Sequence, residues 1–470
     1  MDNRHAISQL WQPRIEARAG PKYLGIVEAL SADLRSGLIG PGDRLPAQRA
    51  VARALGVDLT TVTRGFNLAR ERGLIDATTG KGSFISKAAD AASADALAVL
   101  PAIDLSMNIP PQPEAAELGR RMTEAVDVVL ARAGGMAHLH YQASGGSEPD
   151  RSAGASWLGQ RIAALSPERV LLAGGCQSAL FAICHTLART GDATIATGAV
   201  TYPGIQAVAG SLGLKLAGLA MDADGIVPES FEDECNRRKP KALYVIPAID
   251  NPTTATLPKE RRLRIVEIAR RHDVAIIEDD PYSRLMQADL PSFASLAREL
   301  TWHVATLSKC VTPALRIAYV VAPDKASADK LSDVLRATSL MAPPLMAAVT
   351  SRWIGSGVIG EITEAIRTES TARQEIARTV LADFPFQADP NGHHLWLRLP
   401  GHWRAVEFAY HAERSGLSVV PSSAFAISSP APEAVRVSLG AASKRSVLGG
   451  ALGLLNDLLS RPSLSARAVV

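Results

Sequence analysis

Cysteine is scarce in this chain: four residues in 470 (Cys176, Cys184, Cys235 and Cys310), scattered and without any C-x-x-C spacing. That excludes a disulfide framework and gives no zinc-site pattern, so reduced thiols and no metal are expected. Long apolar runs are also missing. None approaches the roughly 18 residues that span a bilayer, and the opening stretch MDNRHAISQLWQPRIEARAG has no apolar block of the secretory kind. A cytoplasmic protein with no membrane partner is therefore expected. A strong net charge is absent too, at +3 overall, but the charge is unevenly placed: residues 1–87 hold 13 Lys and Arg against 8 Asp and Glu. A polyanionic partner for the N-terminal part follows from that excess.

What is present is length and apolar content, 470 residues with 47% hydrophobic, enough for a large core and about three domains on a length prior. Two textures are separated by KAADAASADALAVLPA, residues 87–102, which is small, Ala-rich and without strong periodicity, and reads as a linker. Before it, apolar residues recur at helical spacing in YLGIVEALSADLRSGL (Ile26, Val27, Leu30, Leu34), in AQRAVARALGV and in TTVTRGFNLARERGL. After it, the apolar runs RVLLAGG, ATIATG, ALYVIPA, VAIIEDD, WHVATLS and RIAYVVA alternate with helical patterns. Such alternation predicts crossover units on a mostly parallel sheet covered on both faces.

In the N-terminal part, the second and third helices meet at ALGVDLTTV, where Gly56 permits a tight turn and Asp58 or Thr60 can cap the next helix. That helix is predicted to expose Thr60, Thr61, Thr63, Arg64 and Asn67, short polar and basic groups suited to groove edges and phosphates. IDATTGKGSFIS reads as two short strands joined at Gly80-Lys81-Gly82, a wing with a basic tip. Helix-Gly-helix turns also occur in ordinary cores, so the full string matters. GDRLPAQRAVARALGVDLTTVTRGFNLARERGLIDATTGKGSFI closely resembles the GntR-type winged helix-turn-helix over residues 15–86. The resemblance implies binding to double-stranded operator DNA through Arg49, Thr61, Arg64 and Lys81, to which the exposed helix face adds Thr60 and Thr63. One departure is Leu59, which stands where that family usually has an arginine.

In the C-terminal part, ATLSKCVTPALRIAY places Lys309 just after an apolar run. A lone lysine beside a strand end is ordinarily solvated; a lysine carrying pyridoxal phosphate (PLP) needs company. It requires a phosphate anchor, an acid for the ring nitrogen, donors to the phenolic oxygen and a flat group over the ring. LLAGGCQSALFAICHTLAR is a strand, a glycine turn and a helix start, so the backbone N–H groups of Cys176, Gln177 and Ser178 face an incoming anion. VAIIEDDPYS ends a strand in acids, with Asp279 and Tyr282 at D-x-x-Y spacing beyond its carboxyl end, where ligands bind. Asn251 and Tyr202 offer an amide and a ring; Ser308 and Arg316 offer a hydroxyl and a planar fork for phosphate. Taken singly, each has a bland reading as a turn, an acidic loop or ordinary crossover geometry.

The order G-x-Q, Y-P-G, N-P-T, E-D-D-P-Y, S-K-x-x-x-P-x-L-R-I-x-Y and V-R-V-S is similar to the fold type I aminotransferases over roughly residues 103–460. That resemblance implies an α/β domain with a small α+β subdomain, PLP held as an imine on Lys309, and Asp279 paired with the ring nitrogen. It further implies that Asn251 and Tyr282 hold the phenolic oxygen, that Tyr202 stacks, and that Gln177, Ser308 and Arg316 hold the phosphate, where the backbone N–H of Cys176 also faces. Arg436 would grip a carboxylate of the effector or substrate, and Tyr141 would reach the phosphate of a neighbouring subunit. Thr254, Ala314 and the stretch SMNIPPQ depart from the family pattern. A winged helix fused to this scaffold looks like the MocR branch of GntR regulators, which implies a homodimeric regulator sensing an amine or amino-acid effector, or PLP itself. A catalytically active aminotransferase with an accessory DNA-binding arm, and a scaffold that keeps the fold without the cofactor, are the alternatives.

Overall fold

The computed structural model describes residues 22–35, 38–71, 74–78, 82–86, 103–188, 193–428 and 430–461. Its internal contacts divide the chain between Ala102 and Ile103. Residues 15–21, the expected wing-tip residue Lys81 and the expected linker 87–102 lie outside the described residues.

Among the described residues the N-terminal unit forms three helices, α1 (Lys22–Arg35), α2 (Gln48–Leu55) and α3 (Leu59–Glu71), followed by the antiparallel pair β1 (Ile75–Thr78) and β2 (Gly82–Ile85). The helical spacing in α1 places Ile26, Val27, Leu30 and Leu34 in one small core with Val51, Val62 and Phe66. Gly56 ends α2 at φ 60, where its N–H reaches the carbonyls of Ala52 and Arg53. This is the left-handed cap that glycine supplies without a Cβ penalty. Asp58 caps α3, accepting from the Thr60 N–H at 2.7 Å and the Thr60 hydroxyl at 2.6 Å. Gly65 lets α3 approach α1 closely, since a Cβ there would sit 3.0 Å from the Tyr23 carbonyl.

The C-terminal unit is built on a seven-stranded sheet of β3 (Val170–Ala173), β4 (Thr194–Gly198), β5 (Lys215–Leu219), β6 (Ala242–Val245), β7 (Ala275–Asp280), β8 (Thr301–Thr306) and β9 (Ala318–Val321). The spatial order is β3-β9-β8-β7-β6-β4-β5. β9 runs antiparallel to both its neighbours while the pairs β7–β8, β7–β6, β4–β6 and β4–β5 are parallel, the mostly parallel sheet that the alternating pattern implied. β3, β6, β8 and β9 are buried along their whole length, which is why they read as continuous apolar runs rather than alternating ones. Helices α4 (Cys176–Leu187), α5 (Pro203–Leu212) and α6 (Lys259–His272) belong to the crossovers.

The long helix α7 (Val358–Val380) leads into an antiparallel sheet of β10 (Phe386–Ala388), β11 (His394–Arg398), β12 (Val420–Pro421) and β13 (Ala434–Ser438), in the order β10-β11-β13-β12. Leu395, Leu397, Val435 and Val437 pack in one core with Leu448, Leu452, Leu455 and Leu459 of α8 (Arg445–Ser460). This is the small α+β subdomain.

Candidate functional site

Most of the expected residues converge at the carboxyl ends of the parallel strands, where open α/β sheets bind ligands. Gly174 and Gly175 follow β3, Asn251 follows β6, Asp279 is the penultimate residue of β7 with Tyr282 just beyond it, and Ser308 and Lys309 follow β8. Parallel packing forces this meeting: residues more than a hundred positions apart leave the sheet at one edge.

At the helix start, Gly175 holds φ 102 and no side chain caps α4, so its first N–H groups are open to an anion. Arg316, itself at φ 53, lays its guanidinium on this turn, donating to the Gly174 carbonyl at 3.1 Å. A Cβ on Gly175 would meet that guanidinium at 2.7 Å. Ser308 accepts from the Thr306 hydroxyl at 3.0 Å. The side chain of Gln177 donates to the Gly204 carbonyl at 2.8 Å and leaves its own carbonyl oxygen buried without a partner among the described residues. Tyr202 sits at the start of α5 with its ring over Gly204, where a Cβ would touch it. Burial pushes the Tyr202 phenol up to about 12.

Asp279 is buried and accepts from the Tyr244 hydroxyl at 2.7 Å. The Cys176 thiol lies 3.4 Å from each of its oxygens. Burial raises its carboxyl to about 6 despite these donors. Lys309 is half-buried; burial, then the Arg436 charge, lower its amine to about 8. That amine donates to the Asn108 backbone carbonyl, a neutral acceptor that compensates little of the charge. Arg436, buried on β13, donates to Asn251 Oδ1 at 2.8 Å and to the Ser106 carbonyl, with its guanidinium over the Phe425 ring. Its Nε has no partner among the described residues. Tyr141 is 82% exposed.

Four site residues were not anticipated: Asn108, Tyr244, His393 and His394. Asn108 donates to the Tyr282 hydroxyl oxygen at 2.8 Å; it lies in SMNIPPQ, where the departure from the family pattern was the available signal. Tyr244 was hidden in an otherwise aliphatic buried strand, its hydroxyl the only hint. His393 holds the Lys309 carbonyl at 2.8 Å and the Ser370 hydroxyl at 2.9 Å, and burial lowers it to about 4. His394 lies within hydrogen-bond reach of Asn108 and of the Asp250 carbonyl. Two adjacent histidines at a strand start carry no signal of their own.

These residues fit PLP. An anion cradle of open N–H groups and a guanidinium, a buried carboxylate already held by two donors, and an amine whose proton is weakly held are the three features its phosphate, ring nitrogen and aldehyde need. Bound there, PLP supplies an electrophilic aldehyde that amines can occupy and a ring that withdraws electrons.

In the N-terminal unit, Thr60, Arg64 and Asn67 of α3 are exposed, as is Arg49 on α2, while Thr61 and Thr63 are half-buried. Thr63 donates to Gln48 Oε1 at 2.8 Å, Arg70 donates to Asn67 at 2.5 Å, and the Arg64 guanidinium stacks 4.2 Å from the Tyr23 ring centroid. Leu59 is exposed at the first position of α3.

Residues 101–453 match the model for aminotransferase class I and II. The chain belongs to that family. Residues 22–85 match bacterial regulatory proteins of the gntR family, and the two together identify a MocR-type regulator: a DNA-binding transcription factor whose aminotransferase-like part is PLP-dependent. The chain is 29% identical over 459 residues to the uncharacterized HTH-type transcriptional regulator YdeF of Bacillus subtilis, covering 96% of each. It is 24% identical to the HTH-type pyridoxine biosynthesis transcriptional regulator PdxR of Corynebacterium glutamicum, over 77% of this chain and 79% of that protein. The crystal structure of LysN, the α-aminoadipate aminotransferase of Thermus thermophilus, superposes with a TM-score of 0.70 at 23% identity, covering 76% of this chain and 92% of the other. At that identity the likeness is one of fold. No helix among the described residues is long and apolar enough to cross a membrane.

Proposed function

We propose that this MocR-type regulator senses an amine or amino-acid effector, or PLP itself, at Lys309, and that the bound state sets the geometry of two DNA-binding arms in a cytoplasmic homodimer. Residues 15–86 are taken as the DNA-binding domain, 87–102 as the linker and 103–460 as the sensor and dimerisation domain. The observation that carries the reading is the Lys309 amine, lowered to about 8 beside a buried arginine. With PLP bound, an amine whose proton is so weakly held would compete with an incoming amine for one aldehyde, and on displacement it would take up the proton that the incoming amine gives up, a charge that must find new partners. Arg436, adjacent to Asn251 and short of one hydrogen-bond partner, is the receiver for an effector carboxylate. Such differential contacts are what a population shift requires. Asp279 then serves the ring nitrogen, Asn251 and Tyr282 the phenolic oxygen, and Cys176, Gln177, Ser308 and Arg316 the phosphate end, with Tyr202 over the ring and Tyr141 reaching a second subunit. Arg49, Thr60, Thr61, Thr63, Arg64 and Lys81 face operator DNA with paired half-sites.

The test is a titration of the protein's own upstream DNA with PLP and candidate amines, beside a Lys309→Ala variant. The expected result is retained DNA binding with the amine response lost. A variant that responds like the wild type overturns the reading. One feature favours the alternative of an active aminotransferase: an amine near 8 is also suited to carrying a proton during turnover. Rapid multiple turnover of amino acids without DNA affinity would reverse the ranking.

A further inference from the structure

The side chain of Asn108 has one orientation that its neighbours allow. The Asp250 carbonyl accepts only, so His394 Nε2, 3.1 Å away, carries a proton. Burial, then the Arg436 charge, hold His394 well below its ordinary range, so the ring is neutral and Nδ1 presents a lone pair. The Asn108 atom 3.3 Å from that lone pair is therefore the amide nitrogen and not the oxygen. The same nitrogen lies 2.8 Å from Tyr282 Oη. Both amide protons are thus committed, one to His394 and one to the Tyr282 oxygen, while Asn108 Oδ1 stays buried without a partner among the described residues. An amide with its protons so committed cannot accept the tyrosine's proton. That proton is left to an acceptor inside the site.

We propose that Asn108 is a positioning residue, locked by His394, that directs the Tyr282 hydroxyl proton onto the phenolic oxygen of PLP. This rests on the roles of Lys309 and Tyr282 proposed above. A buried orphan carbonyl is costly, and accepting it is explicable when the arrangement serves the site. The backbone carbonyl of the same residue holds the Lys309 amine, so one residue addresses both the amine and the tyrosine, by separate atoms. Asn108 stands on a short connection beside the Ile103–Asp104 strand, and is nine-tenths buried. The charged and titratable groups facing Tyr282 are Arg436, Asp279 and Asp250, together with His394 and His393; none is altered below.

The experiment is a pH titration of the visible absorbance of full-length PLP-loaded protein. Without the Asn108 amide the Tyr282 hydroxyl is a less fixed and weaker donor, and a weakened donor makes the phenolic oxygen more basic, so Asn108→Ala is expected to raise the absorbance midpoint, by up to about one pH unit, the scale of a hydrogen bond to a charged acceptor lost outright. Tyr282→Phe is expected to give a shift at least as large. The double variant should shift no further than Tyr282→Phe alone, because Asn108 acts through that hydroxyl. Asn108→Ala keeps the backbone contact to Lys309. Should it fail to load PLP, Asn108→Leu keeps the volume and the backbone contact while removing both amide protons without adding a charge, with the same upward shift expected. Additive shifts, or no shift in either Asn108 variant, overturn the proposal while the wild-type absorbance leaves Lys309 as the PLP site. Wild-type protein without visible absorbance after PLP addition overturns both.

Discussion

Replacing Asp279 by asparagine has opposite effects with and without PLP. The carboxyl is buried, and its folded value of about 6 stands above the ordinary 3.8. The folded chain therefore holds this proton more tightly than the unfolded one. Stability from the group is fully present below the ordinary carboxylate range and is lost as pH rises through about 6. A difference of about two units corresponds to roughly 3 kcal/mol at 1.36 kcal/mol per unit. Asparagine does not ionise, so PLP-free Asp279→Asn should gain on the wild type by up to that amount between pH 4 and pH 7. Asp250, also raised to about 6, is present in both proteins and cancels. Once PLP is bound, the ring nitrogen's N–H favours the carboxylate, and the ranking reverses: the wild type becomes the more stable and the tighter binder. Urea unfolding followed by tryptophan fluorescence measures this well, since Trp157, Trp302, Trp353, Trp396 and Trp403 all lie in the C-terminal unit. A stability gap that is constant from pH 4 to 7 without PLP, or one that keeps its sign when PLP is added, would refute the assignment of Asp279.

Gly175→Ala forces a residue with a Cβ into φ 102 and against Arg316; PLP affinity measured by equilibrium dialysis should fall at least about tenfold. Arg436→Lys removes the planar fork, so the DNA-binding response to amino acids should need about tenfold more ligand while the response to amines lacking a carboxylate is unchanged. Leu59→Arg adds a cation at the first turn of α3 and should steepen the dependence of operator affinity on salt by about one counterion, read by fluorescence anisotropy at several salt concentrations. Phe66→Ala empties the centre of the N-terminal core, where Phe66 is 2% exposed, and should cost about 3–5 kcal/mol and abolish DNA binding at 37 °C while PLP absorbance is retained.

Motif order along the chain carries much of this site, because the requirements it meets are local. A glycine turn before a helix must lie next to its strand, an acid must end a strand, and a lysine must follow one. The winged-helix fold was legible for the same reason: helical periodicity, the Gly56 cap and the Asp58 cap are short-range effects, and α1 to α3 formed where the spacing placed them. Which side chains of α3 remain free was not legible. Thr63 and Arg64 are engaged by Gln48 and Tyr23 from two other helices, and partners 15 and 41 positions away leave no mark on a helical period.

The sequence alone determined the two-part architecture and the family likeness and supplied the residues proposed to face PLP, since these depend on local pattern and on groups whose chemistry has few substitutes. Only the tertiary structure decided how those groups are tuned. Tyr244 and Cys176 reach Asp279 from a neighbouring strand and a helix start, His393 fixes the main chain of Lys309, and His394 fixes the face that Asn108 turns to Tyr282. Hydrogen-bond direction and burial are properties of atoms brought within about 3 Å of one another by the closing of a sheet, and a sequence read along its length has no measure of that distance.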